Sequence, residues 1–181
     1  MRGMDLRPLE PSRPYSTDEF QFSEVIPARM WLGEAPRRRD VKTLRDLGVT
    51  DIVNLTSLDE VQAVEREAAF NVHHYPFPDG FLGAHGSGEL RRHARGMMQD
   101  ACARLDELFQ AGTRTYLHCV AGISRSPTVF MLWLIRTRRA RTFREAYHLA
   151  HEARPLVSPN PELVEIMREL EPDAFPATSW R

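Results

Sequence analysis

The chain has 181 residues, a formal net charge of −1, 42% hydrophobic and 27% charged residues, and two cysteines. That length suits one domain with one sizeable core. The near-neutral balance gives no electrostatic footprint for nucleic acid, no apolar run approaches the roughly 18 residues of a membrane span, and two cysteines are too few for a disulfide scaffold.

Residues 1–22 carry proline and charge without periodicity and read as an N-terminal tail. Residues 23–172 read as a single domain, and 173–181 as a C-terminal tail. Within the domain, Met30 to Gly33 reads as a strand, 40–47 as a helix ended by Gly48, and 51–56 as a second strand. Ser57 with Glu60 forms a capping box and predicts a helix to about 69. A β-like run near Val72 leads into Pro78-Asp79-Gly80, a turn signal. A long helix is expected over 89–111, closed by Gly112, with Leu90, Ala94, Met97, Ala101, Leu105 and Leu108 as its buried stripe; Cys102 belongs to that stripe, which makes it a core residue rather than a redox partner of the other cysteine. Thr115, Tyr116 and Leu117 end a buried strand. The run Val129 to Ile135 is apolar on every side, so a buried helix is expected to about 138. Thr142 with Glu145 caps the next helix, and Asn160-Pro161 opens the last. Strands alternating with helices imply an α/β fold: a mostly parallel sheet of four to five strands with helices on both faces, and a site at a strand's carboxyl end.

The segment His118-Cys119-Val120-Ala121-Gly122-Ile123-Ser124-Arg125-Ser126 lies between that buried strand and that buried helix. A tight turn there aims successive backbone N–H groups inward, beside the positive end of a helix dipole. Gly122 lets the backbone bend, with Ser126 as the expected cap and Pro127 in the first turn. Such a cavity, lined by Val120, Ala121, Gly122, Ile123 and Ser124, holds a tetrahedral dianion such as phosphate. Cys119 lies beneath it, where helix termini and cations favour the nucleophilic thiolate. Arg125 holds two oxygens in its planar fork, and Ser126 donates to the sulfur.

This string resembles the signature of the dual-specificity branch of the cysteine-dependent protein tyrosine phosphatases. The likeness extends over about residues 25–171, through Trp31-Leu32-Gly33, Gly48 to Leu55, Glu145-Ala146-Tyr147, and Arg154-Pro155 to Pro161. It implies a protein phosphatase acting on phosphotyrosine, and on phosphoserine or phosphothreonine, through a phosphocysteine on Cys119. It implies that Asp79 is the acid that protonates the leaving oxygen, with Asp59, Glu60 and Glu89 as fallbacks. It also implies that His118 orients the loop. The stretch between Asp79 and Cys119 is longer than the pattern requires, and the excess falls in a glycine-rich piece holding His85.

The expected partner is a phosphorylated protein, with phosphate or another oxyanion in the loop, no nucleic acid, no membrane and a monomeric chain. The uncharged loop residues favour singly phosphorylated proteins over phosphoinositides. No cofactor is expected. Nor is a metal: adjacent His73 and His74 suit opposite faces of a strand, and His148 and His151 lack a further ligand. The active thiol needs a reducing compartment, and the opening residues lack the apolar core of a secretory signal, so a cytoplasmic protein is expected. The patch Arg136, Arg138, Arg139 and Arg141 reads as a solvated helix end. Two other classes use cysteine loops: a non-catalytic phosphate-binding module, and sulfur transfer or arsenate reduction.

Overall fold

The computed structural model describes residues 19–57, 70–81 and 87–176. The helix expected to run to about 69, the fallback acids Asp59 and Glu60, His85, and the ends of both tails lie outside those residues. The strands are β1 (Phe22–Ile26), β2 (Met30–Gly33), β3 (Asp51–Asn54), β4 (Asn71–His74) and β5 (Thr115–His118). The α-helices are α1 (Val41–Asp46), α2 (Ser87–Gln110), α3 (Arg125–Arg136), α4 (Phe143–Ala153) and α5 (Pro161–Leu170), with single 3-10 turns at Arg38–Asp40 and Pro172–Ala174.

The five strands lie in the order β1-β2-β5-β3-β4. β5 is central and parallel to both β2 and β3, and β4 is parallel to β3, while β1 pairs antiparallel with β2. Side chains alternate across each strand. Met30, Leu32, Val53 and Leu117 face the larger core, which α2 to α5 cover, whereas Trp31, Ile52 and Tyr116 face a smaller cluster closed by Leu44 of α1 and by Val49. Both faces are therefore covered, unequally.

β1 was not anticipated, and it begins at Phe22, inside the stretch read as tail. Its residues are mostly half-buried and its register slips between Glu24 and Ile26, so it shows no clean alternation. It is an edge strand held by main-chain bonds to β2 and by the ring cluster of Phe20, Phe22 and Tyr116. At the other end, packing continues past 172: Phe175 stacks on Phe143 with ring centroids 4.9 Å apart.

Local signals explain the helices. Thr142 Oγ1 accepts from Glu145 N at 3.2 Å, and Asn160 Oδ1 accepts from Glu162 N at 2.9 Å, with Pro161 in the first turn. Every residue of α3 from Arg125 to Ile135 is buried. On α2 the buried positions are Ala94, Met98, Ala101, Cys102, Leu105 and Leu108. Met98 takes the place expected of Met97, which is half-buried beside it.

Cys102 is a core residue, and burial pushes its thiol up to about 11, against the pull of the neighbouring Arg136 guanidinium. The Cys119 sulfur is bonded by Ser126 and Cys102 by Arg136, ten residues along the same helix. Both cysteines are free, buried thiols. The arginine patch is partly spent on structure: Arg136 Nε reaches Glu171 Oε1 at 2.7 Å, and the Arg139 guanidinium lies over the rings of Phe109 and Trp133. His73 and His74 diverge as expected, to Asp51 Oδ1 and to the Thr56 carbonyl. Among the described residues no three His, Cys, Asp or Glu side chains gather as a metal site, and no helix is long and apolar enough to cross a membrane.

Candidate active site

The turn from β5 into α3 carries the whole signature, and its carbonyls reveal its shape. Val120 O accepts from Ala35 N at 2.9 Å, and Ile123 O from Ser158 N at 2.9 Å. Between them, Gly122 O accepts from Arg154 Nε at 2.8 Å and Ala121 O from Arg154 Nη2 at 3.3 Å. Each of these oxygens is bonded to structure around the loop. In a trans peptide the N–H of the next residue points opposite to the carbonyl. The N–H groups of Ala121, Gly122, Ile123 and Ser124 are thereby turned to the loop's concave side, as an anion cup requires.

Gly122 is indispensable to that turn. Its φ is +67°, and a Cβ there would run into the Gly33 carbonyl. Only glycine meets both conditions at no cost.

α3 starts at Arg125 with Ser124 at the cap position, two residues before the expected cap. Ser124 makes no side-chain cap bond; its hydroxyl accepts instead from Asn160 N at 2.9 Å. Pro127 consequently occupies the third helical position, where its missing N–H still costs nothing. The Ser126 hydroxyl, released from capping, donates to Cys119 Sγ at 3.4 Å. Cys119 is 3% exposed and lies in the loop that leads into a helix buried from Arg125 to Ile135. Beneath it, His118 Nδ1 donates to the Cys119 carbonyl at 3.0 Å, while the His118 carbonyl accepts from Leu55 N at 2.9 Å. The histidine is locked between β5 and the end of β3.

Arg125 is 4% exposed, and its Nη1 donates to Phe77 O at 3.1 Å, Leu55 O at 3.3 Å and Ser57 Oγ at 3.4 Å. One of these acceptors, Phe77, immediately precedes Pro78-Asp79. The signature arginine therefore ties its own loop to the segment bearing the expected acid.

That segment is pinned on both sides. His93 Nε2 donates to Pro76 O at 2.7 Å, and Phe81 N donates to Glu162 Oε2 at 2.8 Å. Phe77 and Phe81 are buried, and Asp79 stands exposed on the crest between them. Of the fallback acids within the described residues, Glu89 is exposed on the first turn of α2.

One loop thus brings together Cys119, Val120 to Ser124, Arg125, Ser126 and His118, with Asp79 on a second loop bonded to it through Phe77. Sequence reasoning did not assign Arg154 or Glu162 to the site. Arg154 is buried and splints two loop carbonyls from 33 and 32 residues away. Glu162 bonds the acid loop from 81 residues away. No local pattern marks contacts of that separation.

The family model described as "Dual specificity phosphatase, catalytic domain" matches residues 30–173. The chain is 27% identical over 157 residues to human "Dual specificity protein phosphatase 5", covering 86% of this chain and 37% of that protein. It therefore spans little more than a third of the length of that relative. Among solved structures, it resembles Tk-PTP in the active form, with a TM-score of 0.67, 22% identity, and coverage of 83% of this chain and 96% of the other. It also resembles human DUSP28, with a TM-score of 0.66, 23% identity, and coverage of 83% and 93%. At those identities the structures establish the likeness of fold.

Proposed function

Since the chain belongs to the dual-specificity phosphatase catalytic-domain family, we propose that it hydrolyses phosphotyrosine, and phosphoserine or phosphothreonine, in proteins. The observation that carries this reading is the set of outward-bonded carbonyls around Cys119, which leaves a cup of amide hydrogens over a buried sulfur.

The phosphoryl group sits in that cup, and the Arg125 fork holds two of its oxygens. In the first step the Cys119 thiolate attacks phosphorus, the bond to the leaving oxygen breaks, and Asp79 gives that oxygen its proton. The charge on the equatorial oxygens is met by the amides and the helix terminus, which are already in place. In the second step water attacks the phosphocysteine and Asp79, now a carboxylate, takes its proton. The sulfur leaves as thiolate, stabilised by the Ser126 hydroxyl, and phosphate departs. Val120 is 44% exposed at the loop and the remaining variable loop residues are uncharged, which suits a single phosphate on a protein more than a polyanionic headgroup. The chemistry draws only on this chain's residues and water, and it needs a compartment that keeps Cys119 reduced.

Steady-state kinetics on matched phosphotyrosine and phosphothreonine peptides test the proposal, with Cys119→Ser as control. Wild type turns over at least the phosphotyrosine peptide, and Cys119→Ser binds phosphate without turnover. Failure of wild type to hydrolyse either peptide or p-nitrophenyl phosphate, from about pH 5 to 8, would leave a phosphate-binding module.

A further inference from the structure

Three consecutive hydrogen bonds run from the signature loop to the acid loop by a route that avoids Arg125. Ser124 Oγ accepts from Asn160 N at 2.9 Å, Asn160 Oδ1 accepts from Glu162 N at 2.9 Å, and Glu162 Oε2 accepts from Phe81 N at 2.8 Å. Glu162 lies in the first turn of α5, where the helix dipole favours its charge. Its bond to a backbone N–H is charge-assisted, the stronger kind. The acid loop is fitted to this carboxylate: a Cβ on Gly80 would approach Glu162 Oε2 and Asn160 Nδ2 to 2.9 Å each.

We propose that Glu162 is a positioning residue for the general acid. It fixes the loop two residues beyond Asp79, while Arg125 fixes it two residues before, at Phe77. An aspartate on an exposed crest is aimed only as well as its two flanks are held. Losing one flank displaces the carboxyl from the leaving oxygen, and displacements near 1 Å cost catalysis heavily. This inference rests on the reading of Asp79 as the acid. It assigns Glu162 no contact with substrate and no role in the attack by sulfur.

That division supplies the readout. A leaving group that departs easily as an anion needs the acid little, whereas a basic one needs it fully. The measurement is kcat/KM for p-nitrophenyl phosphate and for phenyl phosphate, in wild type and in Glu162→Ala, Glu162→Gln, Gly80→Ala and Asp79→Asn. Glu162→Ala is expected to slow phenyl phosphate about tenfold more than p-nitrophenyl phosphate, with inhibition by inorganic phosphate unchanged. Glu162→Gln keeps an acceptor oxygen for Phe81 N and restores most of the loss. Gly80→Ala leaves the α5 sequence intact and presses a Cβ against the mobile ends of Glu162 and Asn160, so it is expected to reproduce the selective loss only in part. Equal slowing of both substrates, or no slowing, in Glu162→Ala overturns the proposal. An Asp79→Asn enzyme that keeps the wild-type ratio removes the acid assignment, and this proposal with it, while leaving Cys119 and Arg125 as assigned. Loss of phosphate binding in Glu162→Ala would mean the residue supports the cup instead, and refutes the division of roles.

Discussion

Arg125 shows how one side chain can serve two loops. Its Nη1 is spent on the carbonyls of Phe77 and Leu55 and on the Ser57 hydroxyl, all within 3.4 Å. A guanidinium has five donors in a fixed plane, so bonding one edge to the protein still presents another to a phosphoryl group. An ammonium at the same place has three donors on a flexible stem and cannot do both. Arg125→Lys is therefore expected to lower kcat/KM by at least about 10² despite the kept charge. It should also loosen the acid loop, visible as faster proteolysis or hydrogen exchange around residues 76–81. Near-normal kcat/KM would refute the two-loop role.

The strand-loop-helix element shows which physical causes a sequence displays. Its flanks were legible: a β-like run into Leu117, and a helix apolar on all sides that proves buried from Arg125 to Ile135. The caps at Thr142 and Asn160 were equally legible, because capping is a matter of residues two or three apart. The cap of α3 was misplaced to Ser126 because two serines flank Arg125, and tertiary bonds decide between them: Ser124 goes to Asn160 N and Ser126 to the Cys119 sulfur. β1 escaped because an edge strand half in water shows no period of two. Arg154 carries no local sign of its role, since its partners lie more than thirty residues away. It carries its own prediction. With Arg154 replaced by Met, similar in length and uncharged, the carbonyls of Ala121 and Gly122 lose their donors and the cup its nearby cation. The inhibition constant of inorganic phosphate is expected to rise about tenfold, the equivalent of about 1.4 kcal/mol. An unchanged constant would show that the bonds at Ala35 and Ser158 hold the loop alone.

At the scale of the whole molecule, the core imposes a pH limit on the fold that is separate from the chemistry at Cys119. Burial pushes the Cys102 thiol from 9.0 to about 11. Burial likewise raises the Tyr116 hydroxyl well above 10.0, and that hydroxyl donates to the Glu34 carbonyl at 2.6 Å. Both groups are neutral when folded and ionise more readily when unfolded. Above about pH 9 the unfolded chain therefore binds fewer protons than the native one, and stability falls as pH rises. Their contribution is fully present below pH 9 and is lost progressively toward 11 for Cys102 and beyond 10 for Tyr116. Each fully titrating group removes at most about 1.4 kcal/mol per pH unit. Urea unfolding followed from pH 7 to 10.5 should show this decline in wild type. Cys102→Ala lowers stability at pH 7 by emptying space beside Trp133 and Arg136, yet its decline between 9 and 10.5 should be shallower, because one of the two titrations is gone. Parallel curves for the two proteins would mean that the Cys102 thiol is not held neutral by its packing.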